Sequence, residues 1–400
     1  MSIEEYLADS RRVEILKVGG IELKGKKTWV LIGSILLMVA LMAMPFSAAC
    51  APAAPPAPPA EGKVFELMMQ NGYPPLHRLT PDSFHWWGKE IEDRTNGRVT
   101  MIWFDGATLA SGPDAYEAIR DGVADGGNID LHREDPLFLV QQGIAVPYHM
   151  ENSWQASPVW WDLLQWSPDM QQNFADAGLI PVWVHSTDIF NFHTSTKVFP
   201  TPADSKGEIL YAAGKVYEQI IAAIGATPVT TPYEDTYTAI ERGMLTGLCW
   251  PWAPIRSAKL VDLLPYHTVL NISMVPWGGY MNQTTWNKFP ADVQQVFRDL
   301  GMSMSGLCGA TLTNEATDVI NEMKGKGHEI FEPTGAARDA FVVPTGKPIQ
   351  DAWIAEVSAQ GYPAQAILDK MDDLAKKYAG NAYGFDDWWG VAGRVWLLEK

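Results

Sequence analysis

From Val64 onward the chain alternates short apolar runs with stretches of helical period, and no other feature restricts its fold as much. "VFELMM" (64–69) reads as a strand. A helix follows from about Pro81, with Thr80 as its N-cap and Pro81 in its first turn, and ends near "TNG" at 95–97. "RVTMIWF" (98–104) is the next strand and "GPDAYEAIRDG" (112–122) the next helix. Strands are then marked at "IPVWVHS" (180–186) and "IFNFHTS" (189–195), followed by the strand "EILYAA" (208–213), the helix "KVYEQIIAAIG" (215–225) and the strand "TPVTTP" (227–232). Such alternation predicts an α/β fold with largely parallel sheet. A helical stretch from about Ala291 to Lys324 follows "GGYMNQTTWNKFP". No period of about 20–50 residues recurs, which excludes solenoids and propellers. A chain of 400 residues exceeds what one core organises, so two lobes are expected.

The N-terminal part is of another kind. Lys24, Lys26 and Lys27 precede an apolar run from Trp29 to Ala49 that ends in "SAAC". A positive flank, an apolar stretch and a small-residue exit make a secretory signal over residues 1–49. Cleavage before Cys50 with lipid on its thiol is expected; simple cleavage after Ala49, or an uncleaved anchor, gives the same export. "APAAPPAPPAEGK" (51–63) continues as an extended, semi-rigid tether, which places a folded body off a membrane surface. Only Cys249 and Cys308 remain, and both read as buried, unpaired thiols.

Chemistry is sparse. A net charge of −17 with no basic cluster beyond the N-terminus excludes nucleic acid as a partner. The eight histidines form no metal-ligand spacing, no phosphate-cradling glycine loop is present, and no cofactor is expected. "GMSMSGLCG" (301–309) misses the spacing of a serine elbow and lies in a helical pattern, where small residues serve close packing. Seventeen tryptophans supply aromatic surface instead. Most belong in cores, including Trp86 and Trp87, but Trp250, Trp252 and Trp277 follow predicted strands, on turns that face a cleft in such folds.

Four stretches carry a resemblance: "EDRTNGRVTMIWFDGATLASGPDAYEAIRDGVADGG", "VFPTPADSKGEIL", "AAIGATPVTTPYEDTYTAIERGMLTG" and "GGYMNQTTWNKFPADVQQVF". In that order they resemble the substrate-binding proteins of tripartite ATP-independent periplasmic (TRAP) transporters, of the dicarboxylate-binding, DctP-like type. The resemblance implies a two-lobed periplasmic-binding-protein fold with hinge strands and a long hinge-spanning helix. It divides the chain into a first lobe over 64–187 and 276–318, a second over 188–275 and 319–379, and a C-terminal extension at 380–400 expected to pack back on a lobe. It further implies an extracytoplasmic binder, not an enzyme, that delivers a small organic ligand to integral-membrane subunits.

By the same resemblance the ligand residues are Trp250 and Trp252 after the glycine turn, with Tyr233 before it, and Gln70, Asn71 and Tyr73 opposite. Asn191 and His193 add polar contacts, and Trp277 a further wall. Relatives carry an arginine that forks a substrate carboxylate, and the matching position here is Leu210. Loss of a guanidinium leaves a buried carboxylate without its partner. Either the ligand is neutral or largely apolar, which is preferred, or Arg256 takes over the carboxylate. A ligand-presenting partner of a sensor is a second role for such a protein, and an exported hydrolase built on His193 and Cys249 a third.

Overall fold

The computed structural model describes residues 62–134, 137–231 and 235–381. Cys50, Tyr233 and the C-terminal extension from residue 382 lie outside the described residues, as do the signal and nearly all of the tether. Two sheets organise the rest. The first has five strands in the order β2-β1-β3-β10-β4, and the second six in the order β11-β9-β5-β8-β6-β7. The strands are β1 (Phe65–Gln70), β2 (Val99–Phe104), β3 (Gly126–Asp130), β4 (Leu179–Ser186), β5 (Asn191–Thr194), β6 (Ile209–Tyr211), β7 (Thr227–Val229), β8 (Gly247–Trp250), β9 (Tyr266–Thr268), β10 (Pro276–Asn282) and β11 (Glu329–Phe331).

Period-2 patterning explains β1, where Phe65, Leu67 and Met69 are buried while Glu66 and Met68 face out. The sheets are mixed, not largely parallel. β1 runs parallel to β2 and β3, and β6 parallel to β7 and β8, but β10 is antiparallel to both β3 and β4, and β5 to both β8 and β9. The reason is topological: the chain leaves the first sheet through β4 into β5 and returns from β9 into β10. These two passages bond to each other, Thr187 N to Val275 O (3.0 Å), Phe190 N to Ser273 O (2.9 Å) and Ile272 N to Phe190 O (3.0 Å), and form the hinge.

The helix expected from Pro81 starts differently. Thr80–His85 form a π-helical turn, and the α-helix is Trp86–Arg94. Thr80 caps nothing because its hydroxyl donates to Pro74 O and accepts from Asn71 Nδ2, tying down the loop after β1. The long helix Ala291–Gly325 runs past both lobes, with Leu300 and Met304 in the core of the first and Val319 and Met323 in that of the second. At Gly301 and Gly309 it touches Trp161 and the Ser153 carbonyl so closely that a Cβ would fall 2.2 and 2.5 Å from them. Close packing is thus what "GMSMSGLCG" encodes. Cys249 and Cys308 are buried and unpaired. Among the described residues no helix is long and apolar enough to cross a membrane.

Candidate functional site

In an α/β sheet the crevice at the carboxyl end of a strand flanked by parallel neighbours on both sides is where ligands sit, because the connections depart to opposite faces there. Each sheet has one such strand, β1 between β2 and β3 and β6 between β7 and β8. Their ends are Gln70 and Tyr211, and the adjacent β3 and β8 end at Asp130 and Trp250. The two lobes approach each other beside these ends. The His132 ring lies 3.0 Å from where a Cβ on Gly214 would stand, and Trp277 of β10 packs on the apolar core of the second lobe.

Register builds the first wall. Trp277 pairs with Asp130 on one side and with His185 on the other, so these three side chains share one face of the sheet. Tyr73 stacks on Trp277 with ring centroids 5.0 Å apart, and on His77 at 4.2 Å. In the second lobe Tyr211 and Trp250 meet edge to face at 5.5 Å. Polar atoms accompany the rings. Asn128, on the same strand face as Asp130, accepts from Gly72 N (2.9 Å) and leaves its buried Nδ2 without a protein acceptor. His185 is buried with neither ring nitrogen bonded to protein, and burial, reinforced by His77, pulls its pKa down to about 3, so the ring is neutral. His132 Nδ1 is bonded to Asp130. Buried polar groups without partners are rare, and a ligand is one thing that satisfies them.

The sequence-predicted residues divide into those at this crevice and those that hold its frame. Tyr73 and Trp277 stack beside the strand ends of the first lobe, and Trp250 ends β8 within the core of the second. Gln70 exchanges both amide groups with the Ala110 backbone, and Asn71 bonds Thr80, Asp105 and Tyr73 N. Asn191 accepts from Leu270 N and Asn271 N, both at 2.8 Å. Leu210 is wholly buried in the core of the second lobe, where its neighbour Tyr211 and the Trp250 that Tyr211 meets are buried too. The Arg256 Nε donates to Glu322 of the long helix at 2.9 Å, and Trp252 is buried beside the hinge. Lys215 is likewise paired with Glu356, and Arg338 donates to Leu270 O.

His193 has another arrangement. Its Nε2–H donates to Trp250 O (3.0 Å), so its Nδ1 accepts from His267 Nδ1–H (2.8 Å), whose Nε2 in turn accepts from His328 Nδ1–H (3.0 Å). The three rings stand in single file, and no cluster among the described residues is placed to hold a metal. His193 and Cys249 do not form a dyad: His193 pairs with Leu248 and Phe192 with Cys249, which puts the two side chains on opposite sheet faces. Burial also pushes the Cys249 thiol pKa up, away from a nucleophile.

Sequence reasoning missed Asn128, Asp130, His132, His185 and Tyr211. A signal existed for four of them. "NIDLH" sets a polar residue at every second position of a largely buried stretch, and "VWVHS" puts a histidine one residue before the end of a buried strand.

Residues 75–353 match the model of the bacterial extracellular solute-binding proteins, family 7. A solute-binding protein of a Sulfitobacter species is 30% identical over 158 residues, which are 39% of this chain and 47% of that protein, so the chain spans about half the length of this relative. Solved structures share the fold, two of them as follows. A TRAP periplasmic solute-binding protein from Desulfovibrio salexigens aligns with TM-score 0.71 and 24% identity over 82% of this chain and all of the other (100%). A TRAP solute-binding protein from Rhodoferax ferrireducens, in complex with copurified benzoate, aligns with TM-score 0.72 and 18% identity over 80% of this chain and 99% of the other.

Proposed function

Because the chain belongs to family 7 of the bacterial extracellular solute-binding proteins, we propose that it captures a small aromatic solute in the crevice between its lobes and hands it to the membrane subunits of a TRAP-type transporter. The observation that carries this is the aromatic pairing at the strand ends, Tyr73 on Trp277 in one lobe and the buried pair Tyr211 and Trp250 in the other. Flat rings stack on such pairs, whereas a sugar acid needs many more hydrogen-bond partners. The benzoate held by the Rhodoferax ferrireducens protein belongs to the same solute class.

The solute's polar end is neutral in this proposal. Arg256 and Lys215 are engaged with Glu322 and Glu356, Leu210 offers no charge, and Asp130 adds a buried carboxyl to the crevice. Asn128 Nδ2 would donate to a carbonyl or hydroxyl oxygen on the ring, and neutral His185 supplies one further donor or acceptor. Gln70, Asn71 and Asn191 hold the loops that shape the site. The intact protein titrated with benzamide, benzoate and glucuronate separates the readings. Benzamide is expected to give the largest rise in melting temperature. A rise with benzoate alone would overturn neutrality, and a rise with glucuronate but neither aromatic would overturn the solute class.

Lipid on Cys50 would anchor the exported chain to the outer face of the cell membrane, the Pro/Ala tether giving the lobes their reach. Labelled palmitate is then incorporated by the wild type and lost in Cys50→Ser, while equal labelling of both sinks the anchor.

A further inference from the structure

The hinge, the long helix and both lobes line a half-open cavity of about 300 Å³, at the lower end of the size range of ligand pockets. Of the sequence-predicted ligand residues that the structure describes, only Trp252 lines it. Its distinctive member is Asp188, which sits in the passage from β4 to β5. Asp188 Oδ2 accepts from Trp252 N (2.8 Å) and Ala253 N (3.3 Å), fixing the carboxyl at the start of helix Trp252–Ser257. Its Oδ1 is buried and has no protein donor. Asn152 from the first lobe and Asn271 from the hinge add polar groups, and the indole of Trp252 with Ile320 adds apolar wall. Lys324 and Glu332 at the rim are exposed and of opposite sign, so Asp188 is the ionisable group of the lining that lies in the interior.

We infer that this cavity is a second ligand site, which takes a small primary ammonium with one N–H on Asp188 Oδ1 and its alkyl chain against Trp252 and Ile320. An orphan carboxyl oxygen needs a donor, and a cationic one makes the stronger bond. Burial first, with Glu315 adding to it, raises the Asp188 pKa to about 8, so the empty site holds the acid protonated on Oδ1, and binding of the cation releases that proton to solvent and leaves Oδ1 as the acceptor. An aromatic face beside the carboxyl favours the same charge. The occupant would touch both lobes and the hinge at once, in a place separate from the crevice.

The test uses the intact protein and n-butylammonium chloride, with n-butanol and sodium butyrate at matched ionic strength. Butylammonium is expected to raise the melting temperature saturably, and calorimetric titration to show binding at least tenfold weaker in Asp188→Asn. That variant keeps a carbonyl oxygen for Trp252 N and Ala253 N. Thr317→Trp, on an exposed turn of the long helix that lines the cavity, fills the space without touching the hinge and is expected to abolish the shift. Equal shifts from butanol or butyrate, no shift from butylammonium, or a shift unchanged in Thr317→Trp would each overturn the site.

Discussion

His185 is placed where stability alone would not put it. A buried polar group without a partner costs about 1–3 kcal/mol, and both of its ring nitrogens are in that state. Its pKa of about 3 in the fold lies below the ordinary value near 6.5, so between those values the unfolded chain binds the extra proton and stability falls as pH falls. His185→Leu is therefore expected to raise unfolding stability by about 1–2 kcal/mol at pH 7 and by more at pH 5, read from urea melts. If the ring serves the solute, benzamide affinity drops about tenfold in the same variant, the equivalent of ~1.4 kcal/mol. An unchanged affinity would remove His185 from the site. The contrast with Asn71 and Asn191 shows what was legible at this scale. Residue type was readable everywhere, but whether an amide faces a ligand or holds a loop depends on backbone brought from elsewhere, such as Leu270 N on Asn191. Leu210 and Tyr211 teach the same point, since adjacent residues of β6 take opposite faces of the sheet and yet both are buried in the core of the second lobe.

Elements were easier to read than their partners. The long helix was legible almost to its ends, because a helical period sustained over 35 residues has no competing interpretation. The π-helical turn at Thr80–His85 was not, because it answers to a hydroxyl committed to the loop after β1. Strand direction was also hidden, since β10 finds β3 and β4 only after the chain has crossed to the second lobe and back. Within the long helix, glycines of the same type do opposite work. At Gly309 a Cβ would collide with the Ser153 carbonyl, a backbone atom that cannot swing aside, whereas at Gly325 it would meet nothing within 4 Å. Gly309→Ala is expected to destabilise by about 1–3 kcal/mol through overpacking. Gly325→Ala, at the helix end and without positive φ, is expected to stabilise by up to about 1 kcal/mol. Urea melts of both variants decide it, and equal effects would mean that the helix backbone is not pressed against Ser153 as described.

At the scale of the whole molecule the long helix is a shared rod. Arg78, in the loop after β1, pairs with Asp318 at 2.8 Å, and Arg256, in the second lobe, pairs with Glu322 at 2.9 Å. Asp318 and Glu322 are four residues apart, so the two lobes are tied to successive turns of one helix face. Both pairs are partly exposed, which limits each to less than about 1 kcal/mol of stability and leaves it open to salt. Their effect on binding follows different arithmetic. Where the lobes exchange between open and closed arrangements, apparent affinity scales with the closed fraction, and a bias of about 1 kcal/mol moves it roughly fivefold. Arg78→Ala and Arg256→Ala are accordingly expected to leave the melting temperature within a few degrees of wild type. Each weakens benzamide binding a few-fold at low salt, and the double variant does so by the product of the two. Raising sodium chloride should bring wild type towards the double variant, because screening removes the same two ties. If calorimetric titration instead gave the same affinity for all four proteins at both salt concentrations, the ion pairs would be surface contacts with no hold on closure. The hinge bonds between Thr187 and Val275 and between Phe190 and Ser273 would then set the lobe equilibrium alone.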